Sequence, residues 1–134
     1  MERARLRSVL YVEDEPDIRD ILQLALSLKG ELTVHTRESG SAALQFLRES
    51  PPDLVLLDAM MPEMDGPETL ERMRADPAIP KVPVVFVTAK ALPEDVTRLI
   101  GLGACGVIPK PFDPMRVTDE LYAIWGGIAD VGGG

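Results

Sequence analysis

The chain has 134 residues, 46% of them apolar and 27% charged. That is enough to bury one ordinary core and points to a soluble globular domain. A formal net charge of -8 argues against a binder of phosphate backbones, and one cysteine, Cys105, excludes an intrachain disulfide. No apolar run approaches the ~18 residues of a membrane span, and Glu13 and Asp14 interrupt any leader-like segment behind Arg3, Arg5 and Arg7. The expected location is cytoplasmic, with no nucleic-acid or membrane partner for this domain.

In chain order, Ser8 to Val12 reads as a short buried strand that runs into Glu13-Asp14-Glu15-Pro16. Pro16 suits a first helical turn and Asp14 an N-cap. Ile18, Ile21, Leu22, Ala25 and Leu26 recur at helical spacing, and Gly30 stops that helix. Glu31 to Thr36 alternates as an edge strand does and carries the chain's one histidine, His35. A second helix opens at Ser39 or Gly40, carries Ala43, Phe46 and Leu47, and ends before Pro51-Pro52.

Asp53 to Leu57 contains four large aliphatic residues in a row, the pattern of a strand buried on both faces. Asp58 follows, then a loop to Gly66, where a third helix with Leu70 and Met73 begins. Val82 to Thr88 is a fourth strand, residues from about Pro93 to Leu102 a weaker helix, and Cys105 to Ile108 a fifth strand with Cys105 as a small core residue. Asp113 caps a last helix on which Val117, Leu121, Ile124 and Trp125 share a face. Residues 1–6 are read as a leader, 7–125 as the domain and 126–134 as a flexible Gly-rich tail.

Five strand–helix units predict an α/β, doubly wound, five-stranded parallel sheet with five helices and flavodoxin-like order 2-1-3-4-5. That order brings Glu13, Asp14, Asp58, Thr88 and Lys110 to one edge of the sheet. Three close carboxylates repel one another, and a divalent cation resolves this. Oxygen ligands with room for water suit Mg²⁺. A lysine and a threonine beside them suit the oxygens of an anion, so the set fits phosphoryl transfer with a carboxylate as nucleophile.

The motifs Val12-Glu13-Asp14-Glu15, Asp58 to Gly66, Val87-Thr88-Ala89 and Lys110-Pro111-Phe112, in this order, resemble the CheY-like receiver domain of two-component response regulators. The resemblance covers residues 7 to 125. It implies that Asp58 accepts a phosphoryl group from a histidine kinase or a histidine phosphotransfer protein. It also implies that Glu13, Asp14, Asp58 and the Met60 carbonyl bind Mg²⁺, that Thr88 and Lys110 contact the phosphoryl oxygens, and that Lys110-Pro111 is a cis peptide that helps aim the lysine. The expected partners are that donor, a downstream output protein or domain, and a phosphorylation-linked second copy of the chain. Beyond its own phosphorylation and dephosphorylation, no enzymatic activity is expected. Ala89 is small enough to leave a path to Asp58, and Met60 and Lys90 flank the path of an attacking water.

The chain departs from the family at Val107, where receivers usually carry Tyr or Phe as a rotamer switch. Valine has no ring to swing, so threonine-to-aromatic coupling cannot operate here in that form. The alternative reading is a receiver-fold interaction module that works without phosphorylation. A hydrolase of similar topology would want a second Asp two residues after the nucleophile, where Met60 stands.

Overall fold

The computed structural model describes residues 5–29 and 31–132. Residues 1–4 of the expected leader, Gly30 and residues 133–134 lie outside the described residues. The elements are β1 (Ser8–Val12), α1 (Pro16–Ser27), β2 (Thr33–Arg37), α2 (Gly40–Glu49), β3 (Leu54–Asp58), α3 (Gly66–Ala75), β4 (Val84–Thr88), α4 (Pro93–Gly101), β5 (Gly106–Pro109) and α5 (Val117–Gly132). All strand pairs are parallel and the sheet order is β2-β1-β3-β4-β5, as expected.

The aliphatic runs are continuous because both faces of the sheet are covered. Along β3, Val55 and Leu57 face one core layer with Ala43, Leu47, Leu70, Met73 and Leu99 of α2, α3 and α4. Leu54 and Leu56 face the other layer, with Leu22, Ala25 and Leu26 of α1 and Val117, Leu121 and Trp125 of α5. β2 is an edge strand, and its residues are only half-buried or exposed. His35 there packs against Phe46, ring centroids 5.0 Å apart, which accounts for it structurally.

Several boundaries differ from the expectation, each for a local reason. The residue capping α1 is Glu15, with Pro16 at its first position, and not Asp14. β2 begins at Thr33, where pairing with Ser8 begins. β4 begins at Val84: Pro83 offers only its carbonyl, which accepts from the Val55 amide at 2.9 Å. Cys105 is exposed and precedes β5; only its amide joins the sheet, donating to the Val84 carbonyl at 2.8 Å. Leu6, assigned to the leader, is 1% exposed and belongs to the α1–α5 core layer. α5 does not stop at Trp125 but continues through Gly126 and Gly127, beyond which Ile128 packs against the same layer.

Candidate functional site

The site lies at the carboxyl edge of the three central strands and β5. Asp58 is the last residue of β3, not the first beyond it, in register with Val87 on β4. Glu13 extends β1 by one ladder bond, its amide donating to the Arg37 carbonyl at 3.0 Å. Arg19 of α1 fixes the acidic turn from the other side, Nη1 donating to the Glu13 carbonyl at 2.8 Å. Thr88 ends β4, and its carbonyl accepts the Lys110 amide at 2.8 Å, tying the lysine-bearing turn to the sheet. The Lys110–Pro111 peptide is cis, as expected.

Ligand atoms of Glu13, Asp14 and Asp58 lie within 4.8 Å of one another. Glu13 is wholly buried, Asp58 nearly so, and Asp14 half-buried. Lys110 Nζ lies between the two buried acids, 2.6 Å from Glu13 Oε1 and 3.4 Å from Asp58 Oδ2. The Met60 amide donates to Asp58 Oδ1 at 3.1 Å, while the Met60 side chain points outward and is 57% exposed. The Thr88 hydroxyl, buried, accepts from the Lys90 amide at 3.0 Å. Met61 and Met64 pack into or against the core, as expected of loop methionines.

The electrostatics follow from one lysine facing two buried acids. Burial pushes the Asp58 carboxyl up to about 7; the hydrogen bond and charge of Glu13 add to this, and Lys110 opposes it. Burial also acts to raise Glu13, but hydrogen bonds with Lys110, Asp58 and Tyr11 outweigh it and hold Glu13 below the usual carboxylate range. Burial would lower Lys110, yet its bond to Glu13 and the charge of Asp58 raise it above an ordinary lysine. One carboxylate is thus matched by the lysine and the other is left in excess. Such an excess fits a divalent cation on oxygen ligands.

The structure brings Glu13, Asp14, Asp58 and Lys110 together, with the Met60 amide bonded to Asp58 and the Thr88 carbonyl bonded to the Lys110 amide. Tyr11 was not anticipated. It is fully buried on β1, and its hydroxyl donates to Glu13 Oε1 at 2.8 Å. The signal was present, because Tyr11 and Glu13 are two apart and share a sheet face, but a strand tyrosine reads first as core. Arg19 reads likewise as a helix-surface residue. Beside the site, Ile18, Ile21, Ala89, Pro111, Phe112 and Pro114 line a groove of ≈ 390 Å³ that Lys110 also borders.

A sheet of this order with acids, threonine and lysine at its carboxyl edge is the architecture of a receiver, and the comparisons agree. The family model for the response regulator receiver domain matches residues 9–122. The chain belongs to that family and is a receiver domain of the two-component kind. It is 37% identical over 117 residues to response regulator Rre1 of Synechocystis, covering 87% of this chain and 49% of that protein. It is 39% identical over 121 residues to a CpxR homolog of Haemophilus influenzae, described as a transcriptional regulatory protein, covering 89% of this chain and 50% of that one. The chain thus spans about half the length of these curated relatives. Among solved structures it is similar to the N-terminal domain of a response regulator receiver protein from Methanoculleus marisnigri, with TM-score 0.72, 39% identity, and 89% and 93% of the two chains covered. It is also similar to chemotaxis protein CheY4 of Vibrio cholerae, with TM-score 0.80, 28% identity, and 90% and 99% covered. Among the described residues no helix is long and apolar enough to cross a membrane.

Proposed function

We propose that Asp58 is the phosphoacceptor of this receiver and takes its phosphoryl group from the histidine of a kinase or phosphotransfer protein in the cytoplasm. The observation that carries the reading is Lys110 Nζ set between Glu13 and Asp58, within a group of three carboxylates whose ligand atoms lie within 4.8 Å of one another. Glu13, Asp14, Asp58 and the Met60 carbonyl would hold Mg²⁺. When bound, the ion supplies positive charge that offsets the unmatched carboxylate and the incoming phosphoryl oxygens.

In the transfer, an Asp58 carboxylate oxygen forms the new O–P bond as the P–N bond to the donor histidine breaks, and the imidazole leaves with its electron pair. The Thr88 hydroxyl donates to one phosphoryl oxygen. The Lys110 ammonium moves from Glu13 toward another. These are positioning and charge-neutralising roles, which dominate phosphoryl transfer. The phosphorylated form then favours one of two conformations, and an output protein or domain, or a second copy of the chain, reads the difference.

Incubation with Mg²⁺ and acetyl phosphate, followed by intact mass measurement, tests the assignment. Wild type is expected to gain one phosphoryl group and Asp58→Asn none. Equal gain by both would refute Asp58 as acceptor. The second reading, an interaction module independent of phosphorylation, draws support from Val107, which is half-buried and packed against the α2–α4 core layer. It predicts that beryllofluoride with Mg²⁺ leaves partner binding and oligomeric state unchanged.

A further inference from the structure

Glu13 Oε1 accepts two hydrogen bonds. Lys110 Nζ donates at 2.6 Å and Tyr11 Oη at 2.8 Å, while Oε2 accepts the Glu15 amide at 3.3 Å. Glu13 and Tyr11 are both 0% exposed, so both donors sit away from bulk water. The Tyr11 ring lies in the α1–α5 core layer among Val9, Leu22, Leu56 and Val87, which fixes where its hydroxyl points. A phenol placed there has no core-packing reason to be a phenol: phenylalanine would fill the same space without a polar atom to satisfy.

We propose that Tyr11 is a positioning residue of the site, holding the Glu13 carboxylate in place so that Lys110 is free to leave it. The inference rests on the phosphoacceptor reading, in which Lys110 must exchange Glu13 for a phosphoryl oxygen. Without Tyr11 that exchange takes both the Lys110 and the Tyr11 bonds from Oε1 while it stays buried, and a buried carboxylate oxygen short of donors is costly. With Tyr11 in place Oε1 keeps one donor throughout. The same bond restrains the orientation of the Glu13 carboxylate, one of whose oxygens lies within 4.8 Å of ligand atoms of Asp14 and Asp58. Tyr11 thus acts on the metal only through Glu13, as outer partners of metal-binding carboxylates do.

The test is Mg²⁺ binding, measured by isothermal calorimetry on wild type and Tyr11→Phe. The expected result is a dissociation constant raised by about tenfold in the variant, in the range seen on loss of outer partners, with the thermal midpoint in EDTA held close to that of wild type. Equal constants would overturn the proposal. So would a raised constant that merely follows a collapsed thermal midpoint, when joined to a silent spectroscopic arm. For that arm the chain carries 3-fluorotyrosine at its two tyrosines, with Tyr122→Phe to assign the signals. The Tyr11 fluorine resonance is expected to move on Mg²⁺ addition, and again on beryllofluoride addition as Lys110 leaves Oε1. A resonance that stays fixed under both overturns the proposal without requiring Tyr11→Phe to fold. Calorimetry involves no phosphoryl transfer, so an Asp58→Asn variant that accepts phosphate would sink the acceptor reading while leaving the Tyr11 comparison legible. Absence of Mg²⁺ binding by wild type would sink the role of Tyr11 outright.

Discussion

At the scale of single residues, the site is a charge imbalance. One ammonium faces two buried carboxylates and sits nearer to Glu13. Burial, with Glu13 adding to it, pushes the Asp58 carboxyl up to about 7. Its native pKa exceeds its unfolded value, so the stability it contributes is fully present below the unfolded carboxylate pKa and is lost as pH rises through about 7. Glu13 runs the other way: its contribution is present above its unfolded pKa and is lost only on acidification. Lys110, raised, loses its contribution only in the alkaline range. Around neutrality Asp58 is left as the dominant titration. In EDTA, wild type should lose about 1 kcal/mol between pH ~6 and ~8, and Asp58→Asn should not. Urea denaturation at the two pH values checks this; parallel behaviour of the two proteins would mean that Asp58 ionises freely in the fold.

At the scale of elements, the turns around the sheet edge are built with little slack. A Cβ on Gly66, at the start of α3, would lie 2.5 Å from the Asp58 carbonyl oxygen and 2.8 Å from the Ala59 Cα, both backbone. Gly66→Ala should therefore shift the β3–α3 turn, cost about 2 kcal/mol or more, and weaken Mg²⁺ binding, since the displaced backbone carries Asp58. Unchanged thermal stability would show that the turn yields freely. By contrast, Ser39 caps α2 with no side-chain bond to the acids, its hydroxyl accepting the Ala42 amide at 3.1 Å. Ser39→Ala should cost about 1 kcal/mol in denaturant melts with Mg²⁺ affinity unaltered. Much of this scale was legible in the chain itself. Pro16 and the Pro51-Pro52 pair mark helix limits, and the four aliphatics before Asp58 mark a doubly covered strand. The end of α5 was not legible, because glycine propensity at 126–127 is a local term of about 1 kcal/mol per residue and the contacts of Trp125 and Ile128 with the core layer are not local.

At the scale of the whole molecule, the two halves of the sheet edge come from residues 13–14, 58, 88 and 110, so a ligand bound there holds together strands far apart in sequence. Mg²⁺ should accordingly stabilise the entire fold, by about 2.7 kcal/mol when its concentration is a hundred times the dissociation constant. Thermal melts in Mg²⁺ against EDTA read this directly. The gain should shrink in Asp58→Asn, which keeps the shape of the side chain but loses a charged ligand; an equal gain would place the ion elsewhere.

By itself the sequence determined the order of strands and helices, because buried parallel strands and amphipathic helices write different periods into the chain. It also determined that the acids, Thr88 and Lys110 share one edge, because each stands at or just beyond the end of a strand and parallel strands all end on the same side. Tertiary structure alone decided how those groups pair. That Lys110 lies closer to Glu13 than to Asp58, that Tyr11 reaches the same oxygen, and that Cys105 is exposed rather than buried all depend on register and on side-chain direction across neighbouring strands. Those are set by contacts between residues as much as 97 positions apart, which no local pattern encodes.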